Sequence, residues 1–167
     1  LIANYRIREA GADDAETLWQ FLAIAGYEPD AAAAKAVPVV ASHLIGWPRP
    51  GDFGAVAERD GIVIGAAWAR QFVPAEAPIY YAGAKTPEVS IGVLDTARGL
   101  GVGQNLLQYL ATLARQRQLD GLCLNVRDGN PARRLYERGG YRLVEGAAVR
   151  NRVGGMSLGM HLKLHEG

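Results

Sequence analysis

Seven residues, RGLGVGQ, run from Arg98 to Gln104 and set three glycines against Leu100 and Val102. Leucines at helical spacing follow, at 106, 110 and 113. Glycine at the start of a helix costs stability, so its use there points to something approaching the backbone closely. A helix N-terminus carries unpaired N–H groups and the positive end of the helix dipole. Glycines open those groups to an anion, which makes the stretch a candidate pyrophosphate cradle. The plainer alternative is a tight turn that packs the helix closely on a strand. The Rossmann spacing G-x-G-x-x-G fails, because from Gly99 the third position is Gln104 and from Gly101 it is Leu106. No Walker lysine follows.

Other residues carry chemistry of their own. Tyr136, in "LYERGGY", offers a phenol that can donate a proton or simply pack on a sheet. Asn130 precedes Pro131 and is fully explained as a helix cap. Arg98 reads as a solvated loop cation, and Glu88 as a surface carboxylate. Cys123 alternates with Leu122 and Leu124 and reads as a structural strand residue. His161 and His165 have the spacing of helical metal ligands, but "MHLKLHE" alternates as a strand. That places His161, Lys163 and His165 on one polar face, and no metal site is expected. His43 stands alone and reads as a surface position.

These residues need elements to hold them. "YRIREA" (5–10) alternates as a strand, and 12–27 reads as a helix capped by Asp13 with Glu16 as return partner. The alanine-rich stretch 31–47 is helical until Pro38 interrupts it. Two strands across 55–72 join at Asp60-Gly61, a hairpin signal. The stretch 73–87 is irregular or a short edge strand, and 88–94 is a buried strand. A helix follows from about 102 to 117, then a central strand at 121–126. "NPARRLYERGG" is a short helix with Asn130 as cap, Pro131 at the first position and Gly139 past the end. Strands at 141–147 and 156–164 complete the chain. The order predicts an α+β domain, mostly antiparallel, with one parallel pair across the strand–loop–helix–strand unit at 88–126.

The chain has 167 residues, which suits one domain, residues 1–167. Lys and Arg number 18 against 17 Asp and Glu, a net charge of +1. That balance gives no footprint for nucleic acid or an anionic membrane. No apolar run is long enough for a membrane span. The N-terminal stretch carries charges where a secretory signal needs an apolar core. With one cysteine and no internal disulfide, a reducing, cytoplasmic setting is expected.

"VLDTARGLGVGQNLLQYL" resembles the acyl-CoA-binding motif of the GCN5-related N-acetyltransferase (GNAT) family, Gln/Arg-x-x-Gly-x-Gly/Ala, matched by Arg98, Gly101 and Gly103. "NPARRLYERGGYRLVEG" is similar to a second family segment, matched by Asn130, Ala132, Leu135, Tyr136, Gly140 and Tyr141. The resemblance implies a mixed, mostly antiparallel sheet splayed between its fourth and fifth strands and flanked by about four helices. It implies an acetyl-CoA-dependent N-acetyltransferase acting on a primary amine of a small molecule or peptide. The cofactor would lie along strand 88–94, its amides pairing with the backbone at Ile91 and Val93. Its pyrophosphate would rest on Arg98, Gly99, Leu100, Gly101, Val102, Gly103 and Gln104, with Asn130 as a further contact. The N–H near Val93 would stabilise the oxyanion, Tyr136 would protonate the leaving thiolate, and Glu88 would serve as base. The acceptor would fall among 24–52, 73–86 and 146–156, where Tyr27, Glu28, Asp30, Trp47, Tyr80 and Tyr81 stand. A non-catalytic acyl-CoA-binding or sensing module on the same fold is the alternative. Self-association as a homodimer is left open.

Overall fold

A computed structural model describes residues 4–165. The strands are β1 (Arg6–Glu9), β2 (Phe53–Arg59), β3 (Ile62–Arg70), β4 (Glu88–Val93), β5 (Gly121–Arg127), β6 (Arg142–Leu143), β7 (Val149–Arg150) and β8 (Met156–Lys163). The helices are α1 (Ala15–Ala25), α2 (Ala31–Ala36), α3 (Pro38–Ala41), α4 (Val102–Gln116) and α5 (Arg133–Arg138). The strands form a mixed sheet in the order β1-β2-β3-β4-β5-β8-β6, with β7 also on β8. β4 and β5 are parallel, with Glu88 opposite Cys123 as their register pair. The pairings β1–β2, β2–β3, β5–β8 and β6–β8 are antiparallel. This is the α+β architecture the element order predicts.

Contacts divide the chain into two compact units, one holding the residues up to Arg70 with Ser90–Leu110, the other Gln71–Val89 with the residues from Ala111 onward. In the first, Leu18, Phe21 and Leu22 of α1 form one core with Val56, Ala66 and Trp68. α1 lies so close to β4 that a Cβ at Gly92 would stand 2.6 Å from the Phe21 carbonyl oxygen. In the second, Leu122, Leu124, Met160 and Tyr141 are fully buried.

Three local expectations are corrected. Asp13 does not cap α1. Residues Ala12–Asp14 form a 3-10 turn, and Asp14 accepts from the Gly11 N–H at 2.7 Å. Asp14 also pairs with Arg8 on β1, at 2.7 Å, and makes no side-chain cap bond to α1. The strand expected at 141–147 is only Arg142–Leu143, because the chain turns through Ala147 N–H to Val144 C=O and pairs again at Val149–Arg150. The helix expected from Pro131 begins at Arg133, with residues 130–132 forming the turn that leads into it. At its other end the helix stops at Arg138 with Gly139 just past it, as the sequence predicts, and Gly140, at φ 96°, is the left-handed residue.

Candidate active site

The glycine loop belongs to the first unit. A 3-10 turn at Asp95–Ala97 delivers the chain to Arg98, and α4 starts at Val102. Gly99 and Gly101 adopt φ of 80° and 79°, which L side chains rarely adopt. A Cβ at Gly99 would meet nothing within 4 Å, and one at Gly101 would come no nearer than 3.9 Å to any atom. The space over these glycines is open, so packing does not explain them. Gly103 stands in the first turn of α4. Val102, Leu106 and Leu110 anchor the helix by their burial, leaving Gly101 exposed. The Tyr5 hydroxyl accepts from Asn105 Nδ2 at 2.6 Å and donates to the Leu100 carbonyl at 3.4 Å, tying the loop to the segment before β1. Sequence reasoning missed Tyr5, which lies a hundred residues from its partner. Arg98 is exposed and pairs with Asp95 at 3.0 Å.

The β4 backbone has a defined orientation. The Pro87 carbonyl accepts from the Cys123 N–H at 3.0 Å, and the Leu94 N–H donates to Ile64 of β3 at 2.9 Å. Backbone groups of alternate strand residues point to the same edge. Ile91 and Val93 therefore share the edge of Pro87 and turn their N–H and C=O groups away from β3.

Glu88, Asn130 and Tyr136 belong to the second unit. Glu88 is buried, 3% exposed, so the surface-carboxylate reading is wrong. Its parallel pairing with Cys123 puts both on one face, and His161, opposite Cys123 across β8, shares that face. Burial pushes the Cys123 thiol well above its ordinary range, with Glu88 adding to the rise. Its Sγ donates to the Thr86 carbonyl at 3.6 Å. A neutral, buried thiol is inert as a nucleophile, as the sequence predicts. Tyr80 lies over the same face. A Cβ at Gly159 would stand 3.0 Å from its ring. Asn130 Oδ1 accepts from the Ala132 N–H at 2.9 Å, which closes the turn leading into α5; the cap position itself is Ala132, so the expected capping by Asn130 is corrected.

Tyr136 is 9% exposed, on the inner side of α5. The helix closes with two backbone bonds, Gly140 N–H to Glu137 C=O at 3.1 Å and Tyr141 N–H to Tyr136 C=O at 3.0 Å. That is the Schellman pattern, which brings the last residue back against the third from the end. Here the two are Tyr141 and Tyr136, edge to face with ring centroids 6.2 Å apart.

His161 lies on β8 and His165 beyond it, and no group of three or more metal-ligating side chains forms among the described residues. No helix among them is long and apolar enough to cross a membrane. His43 is half-buried, its Nδ1 3.0 Å from the Val39 carbonyl. Sequence reasoning also missed a buried ion pair in the first unit. Arg70 binds Asp52 through Nε at 3.1 Å and Nη2 at 2.7 Å, and its Nη1 reaches the carbonyls of Ser42 and Ile45.

Comparison with known proteins follows this geometry. The model of the acetyltransferase (GNAT) family matches residues 16–141. Among curated proteins none matches the sequence. An N-acetyltransferase from Staphylococcus aureus Mu50 is 25% identical, with a TM-score of 0.70 over 97% of this chain and 99% of that one. The yncA protein of Salmonella typhimurium, solved with its cofactor acetyl-CoA, is 22% identical, with a TM-score of 0.67 over 98% and 95%. The ribosomal-protein-S18-alanine N-acetyltransferase of Escherichia coli is 18% identical, with a TM-score of 0.70 over 98% and 96%. At those identities the last two speak to the fold alone.

Proposed function

Because this chain belongs to the acetyltransferase (GNAT) family, we propose that it moves an acetyl group directly from acetyl-CoA to a primary amine of a small molecule or peptide. The observation that carries this reading is the open, left-handed pair Gly99 and Gly101 at the start of α4. A pyrophosphate resting on the amides of 98–104 uses that open space and the helix dipole together. Arg98, exposed beside the loop, supplies a cation. The outward backbone edge of Ile91 and Val93 suits pantetheine, whose amides extend a strand's hydrogen bonding. Asn130, in the turn that leads into α5, adds a further contact.

The amine nitrogen attacks the thioester carbonyl carbon. A C–N bond forms, and the carbonyl electron pair moves to oxygen, where the Val93 N–H stabilises it. Glu88 takes the proton that the nitrogen releases. As the intermediate collapses the C–S bond breaks, its electron pair goes to sulfur, and Tyr136 protonates the sulfur. The products are the N-acetylated amine and CoA. Tyr80, on the face that holds Glu88, forms a wall of the acceptor site.

Acetyl-CoA is expected to raise the melting temperature, since it binds the native state. Gly101→Trp should remove that shift while the protein still melts cooperatively. Stabilisation by NAD or ATP in place of CoA overturns the reading. Release of free thiol from acetyl-CoA with a panel of amines tests transfer. Binding with no thiol release from any amine leaves an acyl-CoA-binding module. Tyr136→Phe should lower turnover roughly ten- to a thousandfold, the range of one general acid or somewhat less, and leave acetyl-CoA affinity nearly unchanged.

A further inference from the structure

The Schellman closure of α5 accounts for the Tyr141 ring and not for its hydroxyl. The closure calls for an apolar contact between its last residue and the third from the helix end, and a phenyl ring satisfies it. Yet this chain places a hydroxyl there, and the residue is 0% exposed. The Tyr141 Oη has no hydrogen-bond partner among the described residues. A buried hydroxyl without a partner costs stability. Replacing it with hydrogen would remove that cost, so packing accounts for the ring and not for the hydroxyl.

The surroundings narrow the partner. Tyr136 is the ring that touches Tyr141, at 6.2 Å between centroids. The Cys123 thiol, the other ionisable group in electrostatic reach of Tyr141, stays neutral, and its hydrogen is directed at Thr86. A neutral sulfur is a weak acceptor. The oxygen of Tyr136 is different. On the reading that Tyr136 is the general acid, on which this inference rests, that oxygen becomes a phenolate for part of the cycle.

We propose that Tyr141 is a positioning residue for Tyr136, its hydroxyl donating a hydrogen bond to the Tyr136 oxygen as that oxygen gives up its proton. The electron count is simple. The C–S bond of the tetrahedral intermediate breaks and its pair stays on sulfur. The Tyr136 O–H proton moves to sulfur, leaving negative charge on the Tyr136 oxygen. The Tyr141 O–H stabilises that charge without transferring its own proton. Tyr136 then recovers a proton from solvent. Catalytic hydrogen bonds that are absent at rest commonly form in the reacting complex. The contact is therefore made when charge appears, which is when it accelerates the reaction.

Tyr141→Phe tests this directly. Turnover should fall about ten- to a hundredfold, the worth of a hydrogen bond to a charged group. KM for acetyl-CoA should not change, and the melting temperature should hold or rise. The double variant Tyr136→Phe/Tyr141→Phe should be no slower than Tyr136→Phe alone, because the second hydroxyl has nothing left to stabilise. Parental turnover in Tyr141→Phe, with Tyr136→Phe slow, overturns this inference and spares the general-acid reading. Parental turnover in Tyr136→Phe removes that reading, and this inference with it. A lower melting temperature in Tyr141→Phe also counts against it, since the hydroxyl would then be a structural bond. So does a double variant slower than Tyr136→Phe by the full single effect.

Discussion

Arg70 and Asp52 set the firmest test of how the first unit is held together. Both side chains are 1% exposed, and the guanidinium makes four hydrogen bonds, two to Asp52 and two to the carbonyls of Ser42 and Ile45. Asp52 also accepts from the Arg49 N–H at 2.9 Å. Asp52→Ala leaves a buried guanidinium with no counter-charge. Breaking a buried pair from one side costs about 3–5 kcal/mol. In a chain of this length each kcal/mol moves the melting temperature by about 2–4 °C, so a drop of roughly 6–20 °C is expected. Thermal unfolding followed by circular dichroism at neutral pH measures it. The variant Asp52→Leu/Arg70→Met removes both charges and should recover most of the loss, because apolar replacements of a whole buried pair are well tolerated. A single variant that melts within about 2 °C of the parent, less than the smallest drop above, refutes the reasoning. So does a double variant no better than the single one. The pair also ties the turn after α3 to β3. That turn lies in the 24–52 stretch assigned to the acceptor by resemblance. The single variant should therefore raise KM for the amine more than KM for acetyl-CoA.

Glu88→Gln is nearly isosteric at a buried position, so it should keep the fold and lower turnover; parental turnover with an unaltered pH–rate profile removes Glu88 from the mechanism. Arg8 holds the carboxyls of Asp14 and Glu58 below their ordinary range, chiefly through direct hydrogen bonds. Their folded values are depressed, so that stability is present at neutral pH and disappears as pH falls through the carboxylate range, between about pH 5 and pH 2. Arg8→Met should lower the neutral melting temperature and flatten the acid limb of a melting-temperature-against-pH curve, and parallel acid limbs in variant and parent exclude the assignment.

Much of the fold was legible because it is written in local periodicity. Leu106, Leu110 and Leu113 mark α4, the Asp60-Gly61 pair marks the β2–β3 hairpin, and Pro38 starts α3 where the sequence predicts a break. Ends were less legible, because capping depends on what stands nearby in space. Asp13 reads as the cap on paper, yet it is the Asp14 carboxylate that is held, by the Gly11 N–H and by Arg8 on β1. Glu88 reads as a surface residue because a carboxylate at the start of a strand is normally solvated. Its burial follows from the segments around it, which periodicity does not report. Arg70 and Asp52 stand in separate patterns that say nothing of each other. Tyr136 and Tyr141 were both legible as motif residues. Their contact required the helix-closing bonds, which turn on the left-handed Gly140, one residue beyond Gly139.

The glycines show why a site is harder to read than a fold. Gly92 and Gly99 are the same letter, and each falls beside a helix or strand end where glycine weakens the element. At Gly92 a side chain would collide with the α1 backbone at 2.6 Å, so glycine is there to let α1 approach β4. At Gly99 a side chain would meet nothing within 4 Å. The first glycine is consumed by the protein's own packing, and the fold is its whole explanation. The second buys no internal contact, and its left-handed backbone alone would be met by Asn at small cost. Residues whose special geometry leaves empty space are the ones a ligand has to explain. The same reasoning picks out the Tyr141 hydroxyl, a polar group that packing does not need and that no neighbour among the described residues satisfies. Both features stand at places where the chain departs from what its own stability favours, and the proposed site rests on such departures where the motif alone leaves a plainer reading open.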